Sequence, residues 1–228
     1  MKFISVVPAR KGSQSIKGKN ITKIKNRPLI QYTFDQIKKS KLSFFKSFVI
    51  SDDIKVKKIA KRNNINTDYV RPKKLSLSTT PLIENLKHFI KWTDICKIEY
   101  DYIIILQPTS PLRTYLDINK SIEIVNKKKS KCLVSLSVSL EHPYESVYLD
   151  NKKRIKYFFN SKKGYTRRQD FDRNSYFVNG AIYITSKKLI KKNKIIDYSK
   201  SDFILMDKMN SLDLNDHSEL NLVKRLLS

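Results

Sequence analysis

Short apolar runs separated by amphipathic segments of helical length restrict this chain more than any other feature. Lys2 to Val7, Phe48 to Ile50, Ile65 to Val70, Tyr102 to Leu106, Leu133 to Val138 and Asn179 to Ile184 read as strands. Segments opening at Pro28, running from Asp53 to Arg62, from Leu82 to Cys96 and from Leu116 to Val125 read as helices. In the first of these, Ile30, Phe34 and Ile37 share one face, and Pro28 suits a first helical turn. Asp53 can cap the second, and Lys127 to Lys129 suit the end of the fourth, where cations complement the helix dipole. Strands alternating with helices predict an α/β fold built on a doubly wound, mostly parallel sheet. Such sheets bind ligands beyond the carboxyl ends of their strands. The loops after Val7 and after Leu106 are therefore where a site is expected.

The pattern changes over residues 141–177. Tyr144 to Leu149 and Ile155 to Phe159 are short aromatic runs that meet at Asn151-Lys152-Lys153, which reads as a hairpin. The expectation is one domain over residues 1–228 with an inserted β-rich arm at 141–177 that makes a dimer contact. A last strand at Phe203 to Met206 and a helix from Asp216 complete the chain.

Charge says less than its size suggests. Lys+Arg number 47 against 21 Asp+Glu, a formal charge of +26. Only 10 of the 47 are Arg, and the Lys are scattered along the whole chain, while Ile and Asn abound and Gly falls to 4. That is compositional drift rather than a clustered nucleic-acid surface, and no RNP, KH or zinc signature accompanies it. No apolar run approaches the roughly 18 residues of a membrane span, and Phe3 to Val7 is too short for a signal-peptide core. A cytoplasmic protein without a membrane partner is expected. Cys96 and Cys132 lack CxxC spacing and read as buried small residues in a reducing compartment.

The loop Pro8-Ala9-Arg10-Lys11-Gly12-Ser13, closed by Lys19-Asn20, holds two of the four glycines. Backbone N–H groups in such a turn can nest an anion, with Arg10 as a fork and Lys19 as a point charge. It matches neither GxxxxGK[ST] nor GxGxxG. A phosphate site and a basic surface loop both remain open on these residues alone.

Arg10, Gly12, Ser13, Ile16, Gly18, Lys19 and Asn20, followed by Pro28-Leu29-Ile30, resemble the opening of the acylneuraminate cytidylyltransferases, the CMP-sialic acid synthetases and their relatives for other nonulosonic acids. Leu106 to Arg113 matches that family's LQPTSPLR segment in full, which favours the nonulosonic branch over the octulosonic-acid enzymes. Arg168-Gln169, Asn179 to Tyr183, and Ser211-Leu212-Asp213-Leu214-Asn215 resemble later motifs in the same order. The resemblance implies a nucleotidyltransferase, Rossmann-like fold and a Mg²⁺-assisted transfer of CMP from CTP to the anomeric hydroxyl of a nonulosonic acid, either N-acetylneuraminate or a legionaminate-like sugar. It implies that Arg10, Lys19 and Asp213 are catalytic. It places Ala9, Arg10, Ser13, Lys19, Asn20, Thr80 and Gln107 on the nucleotide, with the Arg71 to Thr80 loop bordering the cytosine. Gln107, Arg168, Gln169, Asn179 and Tyr183 would line the sugar pocket, and Asp213 and Asn215 would hold the metal. CTP, a nonulosonic acid and a second copy of the chain are the implied partners.

The sequence also departs from the family. Gln14-Ser15 stands where Lys-Gly is common, and the paired aspartates become Asp213 and Asn215, a neutral and weaker Mg²⁺ ligand. Asp216 could compensate, but with Glu219 three residues on it reads first as a helix cap. His142-Pro143-Tyr144-Glu145 carries Glu where a sugar-binding Lys often lies, which leaves either a selective carboxylate or a solvent-facing one. The stretch from Arg168 to Asn179 is one residue longer than usual. A relative that binds nucleotide without turnover is thus a second reading, and a basic nucleic-acid-binding protein a third. His88 and His217 read as surface or half-buried histidines and Trp92 as core. Ser110 lacks the partners of a nucleophile.

Overall fold

The computed structural model describes residues 1–13, 15–159, 171 and 174–227. Along the chain run β1 (Phe3–Pro8), the two-residue strands β2 (Lys23–Ile24) and β3 (Arg27–Pro28), α1 (Leu29–Lys39), β4 (Ser47–Ile50), α2 (Ile54–Arg62), α3 (Leu82–Ile95) and β5 (Tyr102–Leu106). Then come α4 (Tyr115–Lys128), β6 (Cys132–Val138), the hairpin strands β7 (Val147–Leu149) and β8 (Ile155–Tyr157), β9 (Tyr176–Ser186), α5 (Lys187–Lys191), β10 (Asp202–Leu205) and α6 (His217–Leu226). Six strands form one sheet in the order β10-β6-β9-β5-β1-β4. Neighbours pair in parallel except β9, which runs antiparallel to both β5 and β6. The expected mostly parallel, doubly wound sheet is present, with one reversed strand near its centre.

Helices cover both faces, so the central strands are apolar on both sides rather than on alternate residues. Val7, Val49, Ile104, Leu106 and Ile184 point to one face and pack with Phe34 and Ile37 of α1, Val56 and Ala60 of α2, and Ile118, Ile122 and Val125 of α4. Ile4, Val6, Phe48, Ile103 and Ile105 point to the other and meet Leu86, Phe89 and Ile90 of α3 and Ile190 of α5. Trp92 packs against this second core, its ring 5.5 Å from that of Tyr69. Asp53 caps α2 through the Lys55 amide, and Thr114 and Asp117 close a capping box on α4.

Three expectations need correction. Ile65 to Val70 is not a strand: a single bridge joins Phe48 to Asn66. The Asn66 side chain accepts from the Asp68 amide at 2.9 Å, and such local bonding competes with a ladder. Cys96 is exposed at the end of α3, whereas Cys132 is buried as expected. The β9 strand is longer than its apolar core. Residues 179–181 bulge where the register with β6 slips between Val134 and Leu136, and Gly180 at φ 74° supplies the left-handed residue that the bulge requires.

The hairpin expected at residues 144–159 is present, with β7 paired antiparallel to β8. No helix among the described residues is long and apolar enough to cross a membrane. Ile104 is fully buried in the middle of β5. Ile104→Ala is expected to cost about 2–5 kcal/mol through lost burial and a residual cavity, read as a lowered urea midpoint.

Candidate active site

The carboxyl ends of β1, β4, β5, β6 and β10 all lie along one edge of the sheet, and the amino end of the reversed β9 joins them there. Strand order changes direction at β1, flanked by β4 and β5, which is where an open α/β sheet leaves a crevice. Two cavities open along this edge and share Gln107 and Thr109 as a common wall.

The smaller cavity, about 410 Å³, is polar. The loop after β1 supplies Arg10, Ser13, Lys19 and Asn20 to it, and Arg71 and Thr80 line it as well. Several bonds fix that loop. The Lys11 amide donates to Asp52 Oδ1 at 2.9 Å, and Asn20 Nδ2 donates to the Arg10 carbonyl at 3.0 Å. Gly18 sits at φ 66°, where a side chain would be strained. Ile16 and Ile24 anchor the loop in a third apolar cluster with Leu214, Leu220 and Val223. Ala9, expected on the nucleotide, is buried in the first core and does not line the cavity.

The larger cavity, about 1250 Å³, lies beneath the β9 bulge and the segment before α6. Asn179, Tyr183, Asp213 and Asn215 line it, as the sequence predicts for four of the site residues. The Asn179 amide is engaged within the sheet: its Oδ1 accepts from the Ser135 hydroxyl at 2.6 Å and from the Ala181 amide at 3.1 Å. Asn179 therefore shapes the bulge and offers the cavity little free polarity. Burial raises the Tyr183 phenol above its ordinary pKa. Arg168 and Gln169 lie outside the described residues. Lys208, which sequence reasoning passed over, is the one cation lining this cavity among the described residues.

Between the cavities sits Arg113, 1% exposed. Its Nη1 donates to the Gln107 carbonyl at 3.0 Å and to the Ala181 carbonyl at 2.9 Å, and its Nη2 donates to Thr33 Oγ1 at 2.9 Å. One guanidinium thus joins the shared wall, the bulge and α1. Desolvation lowers its pKa to about 10.

Lys19 crosses the same gap. Its ammonium donates to the carbonyls of Leu214 and Asn215 at 3.0 and 2.9 Å, which leaves one of three N–H bonds for a ligand. Ser15 donates to the Asn215 carbonyl as well. Burial lowers the Lys19 pKa, with Asp213 and Glu219 pulling it back up. Burial chiefly raises that of Asp213, against hydrogen bonds from Thr109 and Asn215 that lower it.

Among the described residues no three His, Cys, Asp or Glu converge as a metal cage. Mg²⁺ does not need one: it is commonly held by one or two carboxylates plus substrate phosphates. Asp213, half-buried at the junction beside the polar cavity, suits that pattern as an oxygen donor. Asp216 does not compensate for Asn215. Its carboxylate accepts from the Ser218 and Glu219 amides at 2.8 and 3.1 Å and caps α6. Glu145 likewise closes a turn on the His142 amide, and it does not line the cavity.

His88 is half-buried and bonded to the Tyr69 hydroxyl at 2.9 Å, His217 is exposed, and Ser110 is buried. Arg71, named only as the start of the loop expected at the cytosine, joins the polar cavity, as does Asn85, which the sequence did not single out. Arg71 is 8% exposed, and its Nε and Nη2 hold the Leu75 carbonyl. Its signal was an arginine before Pro72 in a loop at the strand ends.

A family model described as Cytidylyltransferase matches residues 4–221. The N-acylneuraminate cytidylyltransferase of Escherichia coli O18:K1:H7 is 29% identical over 224 residues, which cover 97% of this chain and 51% of that protein. The chain therefore spans about half the length of that relative. The pseudaminic acid cytidylyltransferase of Campylobacter jejuni serotype O:2 is 28% identical, covering 90% of this chain and 88% of the relative. A solved CMP:2-keto-3-deoxy-manno-octonic acid synthetase complexed with CTP superposes with a TM-score of 0.70 at 16% identity, over 100% of this chain and 98% of that one. It supports the fold.

Asp213 supplies a signed test. Its folded-state pKa lies above its ordinary value. The native state then binds this proton more tightly than the unfolded chain, which stabilises the fold at low pH. That stabilisation is lost as pH rises through the folded value, and the ionised carboxylate is a cost at neutral pH. Asp213→Asn is expected to raise the urea midpoint at pH 7 and to leave it unchanged near pH 3, at about the lower edge of the carboxylate range.

Proposed function

The chain belongs to the cytidylyltransferase family, and from that premise we propose that it transfers CMP from CTP to the anomeric hydroxyl of a nonulosonic acid. The observation that carries the reading is the pair of cavities meeting at Gln107 and Thr109. One is polar and cationic; the other is three times larger and carries Asp213 at the junction. A nucleotide in the first and an acid sugar in the second would bring an α-phosphate and a hydroxyl together at the shared wall.

In this mechanism the anomeric oxygen attacks the α-phosphorus and gives up its proton to solvent. The α–β anhydride bond breaks, and pyrophosphate leaves. Such a transfer depends on positioning and on neutralising charge. Arg10 forks onto the phosphates, Lys19 adds its remaining N–H, and Ser13 closes the loop around them. Asn20, Thr80 and Arg71 border the nucleoside, and Gln107 faces both substrates. Mg²⁺, held by Asp213 and the triphosphate with the Asn215 amide oxygen in reach, would offset the charge building on the leaving pyrophosphate.

Tyr183 and Asn179 bound the sugar, and the resemblance assigns Arg168 and Gln169 to it. Lys208 is the described cation that would face its carboxylate. The substrate is a nonulosonic acid of the kind named for the relatives, N-acylneuraminate or pseudaminate, or a legionaminate-like sugar.

A homodimer belongs to the same reading. Tyr148, Leu149, Ile155, Tyr157, Phe158 and Phe159 of the hairpin arm are all exposed, an apolar surface that suits a second copy. Light scattering is expected to give twice 26.8 kDa, and a monomer at micromolar concentration would count against the arm.

Pyrophosphate release from CTP and Mg²⁺ with a panel of nonulosonic acids tests the reaction. Release with one acid is expected; silence in a folded protein that binds CTP would favour nucleotide binding without turnover. Arg10→Ala should lower kcat by roughly 10²–10³, as for loss of one group that stabilises transition-state charge. Lys208→Ala should instead raise KM for the acid with kcat little changed.

A further inference from the structure

Asn85 stands on the first turn of α3, and with its chain neighbours Thr80 and Leu82 it lines the polar cavity that Arg10 and Lys19 also line. It is 2% exposed, yet it lines the cavity. Its Nδ2 donates to the Pro81 carbonyl at 3.4 Å, one helical turn back. Its Oδ1 is buried with no hydrogen-bond partner among the described residues. An orphaned buried acceptor costs about 1–3 kcal/mol, so native structures rarely leave one without a reason. Leucine, of nearly the same shape, would have filled the position without that cost.

The amide's orientation limits what can satisfy it. With Nδ2 bound to Pro81, the oxygen is the free end. Turning the amide over would break that bond and set oxygen against the Pro81 oxygen. The missing partner must therefore be a donor, and it must come from whatever occupies this end of the cavity. In the reading proposed above the phosphates go to Arg10 and Lys19 and the base to the loop that ends at Thr80, close in sequence to Asn85, so that occupant is the base.

We propose that Asn85 is a specificity-determining residue that reads the base, its Oδ1 accepting a hydrogen bond from the exocyclic amine of cytosine. Uracil presents a carbonyl oxygen at the same ring position. In its place two acceptors would face each other, both stripped of water. A site built around such a polar contact rejects the wrong partner far more strongly than an apolar pocket can. Arg71, across the cavity and itself bonded to Leu75, closes the base end from the other side.

The inference rests on the nucleotide reading proposed above, and its test separates the two. Binding and turnover of CTP and UTP are measured for the wild type and for Asn85→Leu. The wild type is expected to prefer CTP, and Asn85→Leu to lower the CTP:UTP ratio of kcat/KM by about 10–100-fold, mainly through weaker CTP binding. Its melting temperature should hold or rise, since the orphaned acceptor has gone. A purely structural asparagine would move stability and leave the ratio alone. If Asn85→Leu folds and keeps the wild-type ratio, the assignment of Asn85 is overturned. A wild type that binds neither nucleotide would instead sink the nucleotide reading itself, and one that binds and turns over both equally would overturn the assignment of Asn85. Should the leucine variant fail to fold, Asn85→Ala removes the same acceptor without adding bulk, and a wild-type CTP:UTP ratio in it would overturn the proposal just as well.

Discussion

A fully buried guanidinium with only neutral acceptors governs how this site is assembled. Arg113 holds the carbonyls of Gln107 and Ala181 on one nitrogen and the Thr33 hydroxyl on another. A charge taken out of water costs several kcal/mol unless its surroundings compensate. Here three hydrogen bonds do so in part, and Nε has no partner among the described residues. A leucine could fill the volume, but it could not join three elements at fixed spacing. Gln107 is in the wall that both cavities share and Ala181 follows Gly180 in the bulge over the larger one, so the bond pair fixes the bulge against that wall. A planar, rigid fork holds such a spacing better than a flexible ammonium.

Lys19 is the second bracket, and it works from the solvent side. It ties the loop after β1 to the segment before α6, and the apolar cluster of Ile16, Ile24, Leu214 and Val223 packs just below. The loop that would carry phosphate is thereby fixed to the segment that carries Asp213. With only one N–H left over, Lys19 contributes to a triphosphate chiefly by charge and by keeping this geometry. Arg10, whose guanidinium makes no such tie among the described residues, is the residue left to fork onto oxygens.

Much of this was legible in the residues. The double-sided apolar strand at Tyr102 to Leu106, the caps at Asp53 and Thr114, and the placement of a site at the strand ends all follow from local chemistry that the fold leaves undisturbed. Ala9, Arg10, Ser13, Lys19, Asn20, Thr80 and Gln107 were named as one group, and all but the buried Ala9 line one cavity. What escaped has a common physical cause. Ile65 to Val70 has strand composition, but the Asn66 side chain takes the hydrogen bond that a ladder would need. Asn179 looked like a ligand because it lies in a motif, yet its amide completes a bulge that only pairing over long range creates. Asn85 and Lys208 carry no local signal, since each matters for what the fold brings opposite it. The reversed direction of β9 is equally invisible to a pattern that reads only which strands exist.

The replacement of a second aspartate by Asn215 can now be placed within this frame. Its backbone carbonyl is already held by Lys19 and Ser15, and its side chain helps to lower the pKa of a buried carboxylate next to it. A second ionised group there would sit against Asp213 and Glu219, both acidic and both in the same cavity. Like charges at that range raise each other's pKa. The amide removes that repulsion, keeps Asp213 more easily ionised, and still presents an oxygen. What it gives up is one negative charge at the junction of the cavities. The neighbouring cations Arg10, Lys19 and Arg71 are then less neutralised, and the field that an incoming triphosphate meets is more positive for it.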